Sequence, residues 1–385
     1  YSLSKTFHAK FPKKNDPKNL SLKVPLSQTI AVIGAGAVGA GTAWHLSELG
    51  HQVILVDPKL NKPIKRSGML SGTSASLGIL MGNTFGRSNG RGWRLRRESM
   101  DLWPNWIEKL NTPDQFIKIE RPIIQLATSE KEAFTMQKLS QERAKFGLEL
   151  LSEKHLKSIR SEWPQTIFEG LISHQDGRID PITLLASLLF ALKKQKVEQL
   201  EQSVIYLERL SNRPGYRWKV YLADGNSFKA DLVIICTAMG TQPLLKLLGH
   251  NYELEPILGQ AVEIKLKHNL SDWPAVLRTN GINLVPQNKN HILIGATLEP
   301  GIKPNPLDQN NMLKIEGNAP DWLKSAEIKN QWFGLRSRPK DQPAPLLKNL
   351  EPGLILATGH YRNGILLTPS TAKWVELQIS NHQDR

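Results

Sequence analysis

The sequence predicts an α/β fold with α+β insertions, in which a Rossmann-like unit is interleaved with an antiparallel sheet. Three observations carry this. A glycine-rich turn joins two apolar runs in "TIAVIGAGAVGAGTAWHLSELGHQVILVD" (29–57). Two more runs of parallel-strand type, "ADLVIICTAMG" (230–240) and "PGLILATGHYRNG" (352–364), lie far downstream. Between them the periodicity shifts to alternation of apolar and polar residues.

The first element is a buried strand over Ile30–Ile33, followed by Gly34, Gly36 and Gly39. Ala40, Ala43 and Leu46 then recur at helical spacing, and Gly50 is placed to end the helix. "QVILVD" is the second buried strand, so a complete βαβ unit is present. "DPITLLASLLFALKK" (180–194) predicts a helix with an Asp-Pro entry and lysines at its C-terminal end. "AVEIKLK" (261–267) alternates as a strand with one wet face does, and "GINLVP" and "HILIGATL" read as further strands. "RSNGRGWRLRRESMDLW" (87–103) reads as a helix with a basic face, with five arginines in its first eleven residues.

Composition bounds the function. The 385 residues suffice for two domains or one large α/β unit with insertions, and 40% apolar with 22% charged content is that of a globular chain. One cysteine, Cys236, excludes an internal disulfide and a cysteine-rich metal site, and no histidine pair has ligand spacing, so no metal is expected. The formal net charge of +15 favours anionic partners. Six lysines and one aspartate fall in residues 1–27, which read as a disordered basic tail, with an organelle-targeting remnant as the alternative. No stretch has the roughly 20 apolar residues of a membrane span, and a cytoplasmic location is expected, an organelle stroma if the tail is a targeting sequence.

The glycine turn permits close approach of a pyrophosphate to backbone N–H groups at a helix N-terminus, and Asp57, at the end of the second strand, is placed to bind ribose hydroxyls. By itself this motif does not separate NAD from FAD. "SGTSASLGILMG" (71–82), rich in small and hydroxyl residues, can run along a flat ring system.

Together with "DGRIDP", "INLVPQ…ILIGATLEPG", "GLRSRPKDQPAP" and "TGHYRNGILLTP", these motifs resemble the D-amino-acid oxidase and glycine oxidase family of FAD enzymes, most closely the glycine oxidase branch, from about Thr29 to Ile379. The resemblance implies non-covalent FAD. It also implies an FAD-binding domain over 28–105, 170–240 and 346–385, and a substrate domain over 106–169 and 241–345. Cofactor contacts are implied for Gly34, Gly36, Val38, Gly39, Asp57, Thr73, Ser74, Ala75, Gly78, Ile79, Val204, Thr237, Ala238, Gly240, Gly359, Tyr361, Arg362, Asn363, Gly364 and Ile365. Arg336 is implied as the carboxylate clamp, with Arg338 as the alternative because Ser337 separates "R" from the expected proline. Arg362 is implied as a second arginine at the site. Asn283 stands where such enzymes commonly carry a substrate-touching tyrosine, and Leu298 where the branch has a methionine near the ring.

The implied activity is oxidative deamination of glycine or another small amino or imino acid by hydride transfer to flavin N5, in a setting of thiamine biosynthesis. Oxygen is the expected acceptor, giving peroxide, and a homo-oligomer fits. The alternatives are a dehydrogenase of the same fold using another acceptor and a basic nucleic-acid-associated flavoprotein; nucleic acid is not the expected partner. No side-chain base is required, so His360 is read as structural.

Overall fold

The protein is described from a computed structural model covering residues 27–383, apart from 153, 155, 157–162, 165–167, 211–215 and 268. The predicted basic tail, all but Ser27, lies outside the described residues.

The four apolar runs are neighbours in space. Thr29–Ile33 pairs in parallel with Gln52–Val56 on one side and Leu232–Ile235 on the other. Leu354–Thr358 pairs in parallel with Leu232–Ile235, placing the last predicted strand third from the glycine turn. Leu346–Glu351 and Glu198–Leu200 complete a six-stranded sheet at its two edges. All five residues of Leu354–Thr358 are buried. A strand buried on both faces has no use for alternation, and so reads as a continuous apolar run.

One face of this sheet is covered by helices Ala37–Glu48, Gly90–Leu110, Pro181–Lys194 and Thr368–Gln383, whose apolar residues share one core. Asp180 caps the third of these, accepting hydrogen bonds from the Ile182 and Thr183 amides at 3.1 and 2.9 Å. The opposite face carries a three-stranded antiparallel sheet (Val204–Arg209, Trp218–Leu222, Ser227–Ala230) and the helix Thr241–Leu247.

The alternating segments form a separate ten-stranded, largely antiparallel sheet. Its spine is the long antiparallel pair Leu254–Lys265 and Glu327–Pro339, which sets Ile257 opposite Arg336 and Glu255 opposite Arg338. Ile282–Pro286 and His291–Gly295 pair antiparallel beside it, and Gly170–Ser173 joins the far end. Among the described residues no helix is long and apolar enough to cross a membrane.

The segment 68–76 joins the two sheets. Gly68–Leu70 runs parallel to Trp332–Gly334 on the large sheet's edge. The Trp332 indole, 2% exposed, donates Nε1–H to the Ala75 carbonyl at 3.0 Å and packs with Leu77, Ile123 and Ala261. We predict that Trp332→Ala destabilises the protein by roughly 3–5 kcal/mol, whereas Trp332→Phe, which keeps most of the ring contact but strands the carbonyl, costs about 1–3 kcal/mol. Denaturant midpoints check both. Equal small losses would mean that this junction carries little stability.

Candidate functional site

The glycine turn is dictated by close packing. Gly34 has φ +99°, and a Cβ there would lie 2.7 Å from the Cys236 carbonyl oxygen. A Cβ on Gly39 would overlap the Gly34 carbonyl. The helix Ala37–Glu48 therefore begins tight against two strands, with Gly36 at its N-cap and no side chain capping it. The Ala37 amide donates to Thr73 Oγ1 at 3.0 Å. The Asp57 carboxylate accepts from Ala35 N and Lys59 N at 2.9 and 2.8 Å, leaving further lone pairs free for a hydroxylated ligand.

Two cavities meet at this turn, and Gly34, Gly36, Asp57, Ser71 and Thr237 line both. One, of about 980 Å³, reaches Ser74, Val204 and Gly240. The other, of about 570 Å³, extends between the two sheets. It takes in Val38, Thr73, Ala75, Ile79, Ala238, Gly359, Tyr361, Arg362, Asn363, Gly364 and Ile365, together with Asn283 and Arg336. Of the cofactor contacts that the resemblance implies, Gly39 and Gly78 line neither; a Cβ on Gly78 would overlap the Ile179 carbonyl and one on Gly39 the Gly34 carbonyl, so both glycines serve backbone packing.

The stretch after the last core strand closes the inner cavity. Gly359 has φ +63°, and a Cβ on it would lie 2.9 Å from Pro339 Cγ. Gly364 meets no such crowding. His360 is buried with its Nε2 2.9 Å from Thr371 Oγ1. Burial, and then the nearby Arg91 charge, pull its pKa down to about 3. The Cys236 thiol, desolvated at the cavity wall, is pushed up to about 12 and stays protonated, a poor nucleophile towards a flavin.

The two candidate clamps differ sharply. Arg338 is exposed, with Nε donating to Glu255 Oε2 at 3.0 Å across the strand pair. Arg336 lines the cavity, its Nη1 donating to the Leu258 and Thr297 carbonyls, each at 3.1 Å. Its Nε and Nη2 have no protein partner among the described residues. Burial, and then repulsion from Arg362, lower its pKa to about 10, so it remains charged at neutral pH. The guanidinium lies on the neighbouring strand where Gly259 leaves room; a Cβ on Gly259 would overlap it.

Asn283 also lines the cavity, but its amide is engaged at both ends: Nδ2 donates to the Gly295 carbonyl at 3.1 Å and Oδ1 accepts from Arg278 Nη1 at 2.9 Å. It acts on the cavity through Arg278, which sequence reasoning missed. Leu298 does not line the cavity; it is 54% exposed, and Ala296 is the lining residue on that segment. In the arginine-rich helix, Arg96 lines the cavity, stacked 3.8 Å from the Phe85 ring centroid, and Arg97 pairs with Asp101. Asp176 of "DGRIDP" holds the lining loop, accepting from the Gly82, Asn83 and Thr84 amides at 3.1, 2.9 and 3.1 Å.

Two large sheets with a glycine turn between them, opening onto two joined cavities, are the arrangement of a dinucleotide-binding protein. The sequence model of the DAO family, FAD dependent oxidoreductase, matches residues 29–376, and the chain belongs to that family. It is 27% identical over 353 residues to the glycine oxidase of Geobacillus kaustophilus (strain HTA426), covering 89% of this chain and 90% of that protein. It is 25% identical to the bifunctional protein ThiO/ThiG of Nostoc sp. (strain PCC 7120 / SAG 25.82 / UTEX 2576), covering 90% of this chain and 52% of that one. The crystal structure of glycine oxidase from Bacillus cereus ATCC 14579 superposes with a TM-score of 0.78 at 22% identity, covering 92% of this chain and 96% of the other, a likeness of fold.

Two predictions follow from this geometry. A Cβ on Gly36 would meet only Thr73 Oγ1, at 3.1 Å, so Gly36→Val leaves the fold largely intact while filling the space above the uncapped helix. The variant is expected to purify folded but colourless, as read by circular dichroism and flavin absorbance; retention of flavin would contradict this. Because the His360 imidazole is neutral at every pH above about 3, His360→Gln is expected to leave the acid limb of the pH profile of kcat/KM in place between pH 5 and 8. Disappearance of an inflection near 6–7 would assign that titration to His360.

Proposed function

We propose that this protein catalyses the FAD-dependent oxidative deamination of glycine or another small amino or imino acid, with oxygen as electron acceptor. The observation that carries the reading is Arg336: a desolvated guanidinium with two nitrogen donors unpartnered among the described residues, in the same cavity as the glycine turn. The glycine oxidase relatives support an amino-acid substrate.

The residues present fit the cofactor. The uncapped helix N-terminus at Gly36–Val38 would hold the diphosphate and Asp57 the ribose. Val204, Gly240 and Ser74 would line the adenosine end in the larger cavity, and Ala75, Ile79, Gly359 and Tyr361 the ring end in the smaller. The helix Thr368–Gln383 directs its N-terminal dipole back towards the 359–365 turn. When bound, FAD supplies the two-electron acceptor that no side chain here can provide.

The chain's own contribution is placement. Arg336 is fixed by two carbonyls through Nη1, so its remaining donors are preorganised for a carboxylate. Arg362 lines the same cavity with an exposed side chain and no ion-pair partner among the described residues, adding positive potential. His360, neutral and tied to Thr371, supports the turn that bears Tyr361 and Arg362. No base is required among these residues, because a neutral amine carries its own lone pair.

The test compares two arginines. Removing one partner of a buried ion pair costs roughly 3–5 kcal/mol, so Arg336→Met is expected to lower kcat/KM for amino acids about 10²–10³-fold or more while flavin stays bound. Arg338→Met breaks only an exposed pair and is expected to change kcat/KM by less than about threefold. An anaerobic screen for flavin bleaching, followed by admission of air, reads both the substrate and the oxidant. Full activity in Arg336→Met would remove the carboxylate from the account; bleached flavin that air does not reoxidise would point to another acceptor.

A further inference from the structure

The inner cavity holds more positive charge than one carboxylate uses. Its charged wall consists of Arg96, Arg278, Arg336 and Arg362 against a single carboxylate, Asp57, which belongs to the glycine-turn end. Arg278 stands out among the four. It lies on Val276–Thr279, deep in the large sheet, where burial and then repulsion from Arg362 pull its pKa down to about 10. Its Nη1 is held by Asn283 Oδ1 at 2.9 Å, and Asn283 is in turn held by the Gly295 carbonyl. It forms no ion pair with a carboxylate among the described residues; Glu132 acts on it only at a distance. Arg96, by contrast, is already stacked on Phe85 and bonded to the Gly92 carbonyl.

A desolvated arginine without a counter-charge is costly, and a neutral amide relieves only part of that cost. A phenol at 283 would end the cross-strand amide bond that holds Arg278, so the asparagine and the arginine act as a pair. Arg278, Arg336 and Arg362 line the same cavity, and the Arg362 charge repels both of the others. Resting on the amino-acid reading above, we propose that Arg278, oriented by Asn283, is a second anion subsite, and that the substrate is an amino or imino acid carrying a second carboxylate or equivalent anionic group. Arg336 takes the α-carboxylate and Arg278 the distal one. The inference concerns which substrate is held and leaves the bond that breaks unchanged.

The experiment uses the FAD-loaded enzyme. Calorimetry compares acetate and propionate with malonate and succinate, and anaerobic bleaching compares glycine and D-alanine with D-aspartate, D-glutamate and iminodiacetate. In the wild type the dicarboxylates are expected to bind and react roughly 10–100-fold better, the effect of one charge-assisted, forked hydrogen-bond pair. Arg278→Met is expected to abolish that advantage while changing acetate binding by less than about threefold. Arg278→Lys, which preserves the charge and guards against misfolding of the methionine variant, is expected to keep part of it. Arg338→Met leaves the advantage intact. Absence of a dicarboxylate advantage in the wild type, or equal loss for mono- and dicarboxylates in Arg278→Met, overturns the proposal. Amino acids oxidised without such an advantage would sink the second subsite alone. A dicarboxylate advantage in binding without any amino-acid oxidation would keep the subsite and sink the oxidase reading.

Discussion

A guanidinium lying flat against a strand, where glycine leaves it room, is the constraint on which this site depends. Arg336 reaches across to the Leu258 and Thr297 carbonyls because position 259 carries no side chain. That one absence sets where the positive charge lies, and the long antiparallel pair around it fixes the register. The six-stranded sheet contributes the other boundary: a helix N-terminus with glycine at its N-cap, pressed against the end of a buried strand. Between the two lies a cavity whose wall is arginine at one end and backbone amide at the other, a field that favours anions at both.

The two charge sites are built by different physics. At the glycine turn the positive potential comes from backbone dipoles, which cost nothing to orient once the helix is packed. At the sheet it comes from side chains, each of which must be desolvated and held. Arg336 is held by carbonyls and Arg278 by an amide, and neither is neutralised by a carboxylate among the described residues. Each therefore carries a desolvation cost that no carboxylate among the described residues offsets.

Much of this was legible in the sequence, and the reasons divide cleanly. Parallel strands buried on both faces write themselves as apolar runs, so Leu232–Ile235 and Leu354–Thr358 could be placed beside Thr29–Ile33 across 200 and 300 residues or so. The implied cofactor contacts likewise fall along the two joined cavities, Gly39 and Gly78 excepted. What could not be read was anything that depends on register between distant strands. Gly259 faces Arg336 only through the pairing of Leu254–Lys265 with Glu327–Pro339. Leu298 seemed a ring neighbour from its place in a motif, yet the chain turns it outward. Arg278 was within reach. Asn280-Gly281 is a two-residue hairpin loop with positive φ at both residues, φ +47° and +74°. That turn sets Arg278 opposite Asn283, a register that the dipeptide alone announces.

The account's central claim is that a substrate carboxylate rests on Arg336 within the same cavity that receives the cofactor. A crystal structure of the FAD-loaded protein with glycolate, a carboxylate without an amine to oxidise, tests it most directly. The claim predicts both glycolate carboxylate oxygens within about 3 Å of the Arg336 Nε and Nη2. Glycolate on Arg338 at the surface, or absent from the cavity at saturating concentration, would contradict it.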